Sequence, residues 1–200
     1  PSDCGVRRNY GRNGARFAPK VILNQLLSLN NHLESETIIY KEVSYQEDEK
    51  TDFDKSQLDC SNRIKSLIKT QEDFSKTIHI GGGHDHIFSL LKAIEGSKNF
   101  DNIFILNIDA HCDTRVDNIQ HSGTPFRNFD QISKIPFHLV QYGVDLATNS
   151  KTTLTPLTNG SEKHIFMNNV LNCSDSYRLF PDEIFKNCPF NISEKTAIVI

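Results

Sequence analysis

Residues 102–113 read Asn102-Ile103-Phe104-Ile105-Leu106-Asn107-Ile108-Asp109-Ala110-His111-Cys112-Asp113. The run from Asn102 to Ile108 is mostly apolar and rich in isoleucine, the pattern of a strand buried on both faces. The residues after it are dense in groups that bind protons and cations. In extended chain, side chains at i, i+2 and i+4 point the same way, so Asp109, His111 and Asp113 are expected to converge at the strand's carboxyl end. Carboxylates crowded there would repel one another without a cation, and buried carboxylates are seldom left unpaired. An acidic surface turn is the competing reading, and the apolar strand that feeds the segment argues against it. The same alternation turns Cys112 away as a small buried residue.

Upstream, Ile80-Gly81-Gly82-Gly83-His84-Asp85 lies between an expected strand, Thr77–Ile80, and a helix-period pattern. Its glycines are expected to turn the backbone tightly and leave His84 facing the crevice at the sheet's carboxyl edge. A phosphate-binding loop is disfavoured because neither GK[ST] nor GxGxxG is present. The His84-Asp85 pair follows a glycine turn, whereas HD-type phosphohydrolases carry theirs within helices. Carboxylates with a few imidazoles suit manganese better than a thiol-seeking ion. Asp109 could bridge two ions, with His84 on one and His111 on the other, an arrangement that activates water at neutral pH.

Further apolar, β-branched runs fall at Thr37–Tyr40, Phe137–Tyr142, His164–Met167 and Thr196–Ile200. Helical stripes lie between several of them: Ile22, Leu23, Leu26 and Leu27 after Pro19; Ile64, Leu67 and Ile68; and Ile87, Leu90, Leu91 and Ile94, with Gly96 expected as the C-terminal cap. A short helix is expected after Pro181, and an acidic loop or helix start over 47–59. Strands alternating with helices predict an α/β fold with a mostly parallel sheet covered on both faces.

The chain has 200 residues, enough for one domain with a buried core, and residues 1–200 are read as a single catalytic domain. With 22 basic and 25 acidic residues, the net charge of −3 disfavours a general nucleic-acid binder. No apolar run approaches the length of a membrane span, so no membrane partner is expected. The 5 cysteines are scattered without a CxxC pair, which points to free thiols in a reducing cytoplasm. The ends, a loop-like Pro1–Ala18 and a strand at Thr196–Ile200, predict a fragment.

A strand-borne GGGH followed by a strand-borne DAHxD resembles the ureohydrolase superfamily of arginases, agmatinases and formimidoylglutamases. Metallophosphoesterases present such motifs in the reverse order. The run Gly5–Ala15 and the segment Ser122-Gly123-Thr124-Pro125-Phe126-Arg127 fit the same superfamily. The resemblance implies a three-layer α/β/α arginase-like fold, incomplete at both ends, and a small-molecule substrate. It assigns His84, Asp109 and Asp113 to one Mn2+ ion, and Asp109 and His111 to a second. The family completes both ions with a DxD pair after a later strand, expected beyond Ile200. Ser122 stands where arginases and agmatinases carry a His-Gly pair, and SGTPF together with GGGH is similar to formimidoylglutamases.

Arg115 sits two residues beyond Asp113, where arginases place a polar substrate contact, and its guanidinium suits a substrate with more carboxylates. Arg127 is a second candidate contact, and for either arginine a structural ion pair is the alternative. His121 reads as a loop histidine partly in solvent. The implied reaction is hydrolysis of N-formimidoyl-L-glutamate to L-glutamate and formamide in histidine degradation. The alternatives are a guanidine hydrolase of agmatinase or arginase type, and a non-catalytic truncated relative that persists as a homo-oligomer subunit.

Overall fold

A computed structural model describes residues 2–30, 52–70, 77–168 and 184–200. In chain order these carry α1 (Cys4–Arg8), a 3-10 turn (Ala15–Phe17), α2 (Ala18–Ser28), α3 (Phe53–Thr70), α4 (His86–Ser97), β1 (Asn102–Ile108), α5 (Pro125–Ile132), β2 (Phe137–Val144), β3 (Ser161–Phe166) and β4 (Thr196–Val199). The strands form one sheet in the order β3-β2-β1-β4, and every pairing is parallel.

Burial on both faces explains why β1 is a nearly unbroken apolar run. Ile103 and Ile105 point to one face, where they pack with Phe137 and Leu139 of β2, Ala197 and Val199 of β4, and Phe88, Leu91, Ile94, Phe126 and Phe129 from α4 and α5. Phe104 and Leu106 point to the other face and meet Val140, Ile165 and Ile184. α3 lies outside α4 and closes on it through Cys60, Ile64 and Ala93. The result is a three-layer α/β/α fold with a parallel central sheet. Among the described residues, no helix is long and apolar enough to cross a membrane.

The structure corrects several local expectations. Thr77–Ile80 has no strand pairing among the described residues, and Thr37–Tyr40 and Pro181 lie outside them. The cap of α4 is Lys98, in the left-handed region at φ 63°, so Gly96 stays inside the helix, against the Lys65 side chain. Pro19 does open α2, but its apolar stripe is not buried among the described residues. The glycines of the GGGH segment have no positive φ. Their lack of a side chain serves close approach instead: a Cβ on Gly82 would collide with the backbone of Ser2, whose carbonyl accepts a hydrogen bond from Gly83 N–H at 2.8 Å. The only glycine beside the sheet's carboxyl edge that needs left-handed backbone, among those described, is Gly143 (φ 87°), at a bulge where the β2–β3 register shifts between Tyr142 and Val144.

Candidate metal centre

β1 and β2 are neighbours and parallel, so their carboxyl ends deliver two loops to one place, where open α/β sheets collect ligands. The ladder continues into these loops: Asp109 N–H donates to Tyr142 C=O at 3.2 Å, and Asp145 N–H donates to Ala110 C=O at 3.1 Å. The GGGH segment brings His84 against the same edge, and the buried Phe126 ring packs edge-on to its imidazole, with centroids 5.9 Å apart.

The structure brings His84, Asp109 and Asp113 together, with one ligand-type atom from each lying within 4.8 Å of the others. His84 Nδ1 is 2.6 Å from Asp113 Oδ2 and 3.5 Å from Asp109 Oδ2. His111 joins through the second oxygen of Asp109, with Nδ1 to Oδ1 at 3.3 Å and its own N–H donating to the same oxygen at 2.9 Å. Asp109 thus faces one histidine with each oxygen. The route differs from simple strand alternation, because β1 ends at Ile108 and Asp113 enters the cluster from left-handed backbone at φ 51°. The cluster is also more open than a strand-buried site, with the side chains of His111 58% and Asp109 32% exposed, although Asp113 is only 12% exposed.

The two carboxylates dominate the electrostatics of His84. Burial disfavours a charged His84, yet the hydrogen bonds and charges of Asp109 and Asp113 outweigh it and push the imidazole up to about 10. The hydrogen bond from His84 in turn holds Asp109 down at about 2. The paired carboxylates thus favour positive charge between them. Hard oxygens with imidazole nitrogen match a manganese-type donor set. Cys112 is fully buried, and burial raises its thiol to about 12, so it stays a protonated packing group.

Arg115 lies in the loop after Asp113. Its Nη2 donates to Asn9 Oδ1 at 2.6 Å, and Asn9 Nδ2 donates to Ser122 Oγ at 3.0 Å, so Asn9, the C-cap of α1, ties the two residues together. Arg127 is 5% exposed, and all three of its guanidinium nitrogens donate to backbone carbonyls, of Thr114 at 3.1 Å, Pro156 at 2.9 Å and Thr155. These bonds match the structural alternative for Arg127, with carbonyls in place of a carboxylate. His121 is buried and not partly in solvent: Nε2 pairs with Asp117 at 2.8 Å, and Nδ1 accepts from Gly123 N–H at 3.0 Å.

Three amides near the cluster have no spacing signature and escape sequence reading. Asn107 and Gln141 are buried polar residues inside apolar strands, a pattern that calls for a specific partner. Asn149 follows the carboxyl end of β2, and only its position at the neighbouring loop could have marked it.

The arginase family model matches residues 1–172. The formimidoylglutamases of Salmonella arizonae and of an Enterobacter species are 28% and 29% identical over 152 and 153 residues, covering 74% and 75% of this chain and 47% of each relative. The chain therefore spans about half the length of the curated relatives it matches. Among solved structures, formimidoylglutamase from Bacillus subtilis superposes with a TM-score of 0.67 at 22% identity, over 88% of this chain and 56% of that one. Trypanosoma cruzi formiminoglutamase with Mn2+ superposes with a TM-score of 0.65 at 20% identity, over 92% and 62%.

Proposed function

The chain belongs to the arginase family, and from that premise we propose that the protein containing it is a manganese-dependent hydrolase of linear amidines, acting on N-formimidoyl-L-glutamate. The observation that carries this reading is the meeting of His84, Asp109 and Asp113 within 4.8 Å at the carboxyl edge of a parallel sheet. The formimidoylglutamase names of relatives at 28% and 29% identity support the substrate class. Residues 1–200 are taken as belonging to a single catalytic domain that is completed beyond Ile200, working in the cytoplasm on a small-molecule substrate.

In this reading His84, Asp109 and Asp113 would hold one ion, and Asp109 and His111 would contribute to a second. Manganese, when bound, supplies Lewis-acid activation of water at neutral pH. The remaining work falls to the chain. Arg115, steadied by Asn9, offers a guanidinium fork to a substrate carboxylate. Ser122 shares that support, through Asn9, and is assigned as a second substrate contact. Water adds its oxygen to the formimidoyl carbon, the bond from that carbon to the glutamate nitrogen breaks, and water's two protons pass one to the imino nitrogen and one to the departing glutamate nitrogen. The products are L-glutamate and formamide, in keeping with a role in histidine degradation. Holding the substrate by its carboxylates fixes the amidine beside the metals and converts binding into orientation.

The test uses the full-length protein loaded with manganese, assayed for formamide from N-formimidoyl-L-glutamate and for urea from agmatine and arginine. Formamide release that depends on manganese is the expected result. Urea release as the faster reaction would replace this reading with a guanidine hydrolase.

A further inference from the structure

The segment 109–113 carries three of the expected ligands, yet it is neither helix nor strand. Side-chain amides from outside hold its backbone. Asn107 Nδ2 donates to His111 C=O at 3.3 Å, and Gln141 Nε2 donates to Cys112 C=O at 2.7 Å. Asn149 does more, because one amide group takes both neighbours of His111. Its Nδ2 donates to Ala110 C=O at 2.7 Å and to Asp145 C=O at 2.8 Å, while its Oδ1 accepts from Cys112 N–H at 2.9 Å.

The ligands differ in how much they need such help. Asp113 is 12% exposed and bonded to His84 at 2.6 Å, so its direction is set within the cluster. The His111 ring is 58% exposed, and among the described residues its polar contact is with Asp109 alone. Its direction therefore depends on the peptides on either side. An exposed ligand that must be ordered on binding weakens affinity by the entropy lost, unless the fold has already ordered it.

We propose that Asn149 is the positioning residue for His111, bracketing its two peptides so that the imidazole is presented to the second manganese ion. This rests on the dimanganese reading given above and extends it to a residue outside the ligand set. The effect is specific: Asn149 acts through His111 and leaves the ion held by His84, Asp109 and Asp113 largely untouched.

The experiment is manganese titration of the full-length protein as wild type, Asn149→Ala, His111→Ala and the double variant. Asn149→Ala should weaken the looser of two ions about 10- to 100-fold, the usual worth of groups that orient metal ligands. The tighter ion should be unmoved, and the double variant should bind no worse than His111→Ala alone. Asn149→Asp keeps the acceptor for Cys112 N–H but loses the donor for Ala110 C=O, so it should fall between wild type and Asn149→Ala. In metal-free protein, exchange of the Cys112 amide hydrogen should quicken about tenfold in Asn149→Ala and stay unchanged in His111→Ala. Additive losses in the double variant, or equal weakening of both ions, would make Asn149 a general support and overturn the proposal. Unchanged Cys112 exchange in Asn149→Ala would overturn the bracket itself. A wild-type protein that takes up no manganese would instead overturn the metal-centre reading on which the proposal stands.

Discussion

Asp109 faces His84 with one oxygen and His111 with the other, so it is the residue whose loss should reach furthest. Asp109→Ala in the full-length protein should abolish most manganese uptake and all measurable turnover, whereas His111→Ala should leave one ion in place. Metal analysis of the two purified variants checks this, and equal manganese content in wild type and Asp109→Ala would count against the centre. Arg115 is the residue to test for substrate choice. Loss of a charge-assisted contact costs about 1.5–3 kcal/mol, so Arg115→Ala should lower kcat/KM by about 10- to 100-fold on formimidoyl-glutamate and little on an uncharged amidine. An equal loss on both would assign Arg115 to structure, through its bond to Asn9. The identities of the clustered residues are legible in sequence because carboxylates and imidazoles at short spacing have few other uses. How they meet is not legible: Asp113 arrives through left-handed backbone, and the amides of Asn107, Gln141 and Asn149 act on carbonyls, which every residue type carries.

β1 is legible to the residue, because burial on both faces leaves an apolar run with sharp ends. Caps and polar interiors are not, since tertiary contacts decide them. On β2, His138 is 2% exposed, Nδ1 lies 2.6 Å from Ser161 Oγ, and Nε2 has no hydrogen-bond partner among the described residues. Burial, with the Lys163 charge, holds its pKa below the ordinary 6.5. The unfolded chain therefore takes up a proton that the folded chain refuses, and this histidine's contribution to stability is full above about 6.5 and lost as pH falls below it. His138→Gln should remove that part of the pH dependence. The check is the difference in urea midpoint between wild type and variant, which should change between pH values above and below 6.5. On α5, the fully buried Asp130 accepts backbone N–H bonds from Thr158 at 2.7 Å and from Asn159 and Gly160 at 2.8 Å. Asp130→Ala leaves those donors unmet and should destabilise the fold by about 3 kcal/mol, read as a lower urea midpoint at unchanged slope. Nothing in the local sequence marks Asp130, because its partners lie 28–30 residues away.

For the whole molecule, the alternation of strands and helices makes the parallel sheet legible, while the order β3-β2-β1-β4 depends on pairings across most of the chain. The centre draws on both: His84 comes from before β1, Asp109 and Asp113 come from the loop after β1, and the loop after β2 bonds the backbone of that loop. An ion bound there couples separate segments, so it should stabilise the molecule as a unit. Manganese at about 100 times its dissociation constant should add about 2.7 kcal/mol per site, and a chelator should reverse the gain. Thermal unfolding with and without manganese measures it, and an unmoved Tm would argue against an ion bridging these segments.

The positive φ of Asp113 has an evolutionary consequence. A position that must supply a carboxylate and also accept left-handed backbone is constrained twice, by chemistry and by shape. In a lineage released from the metal, the chemical constraint would lapse and the steric one would persist. Drift at this site would then run to asparagine and glycine, and β-branched residues would stay excluded long after the activity had gone.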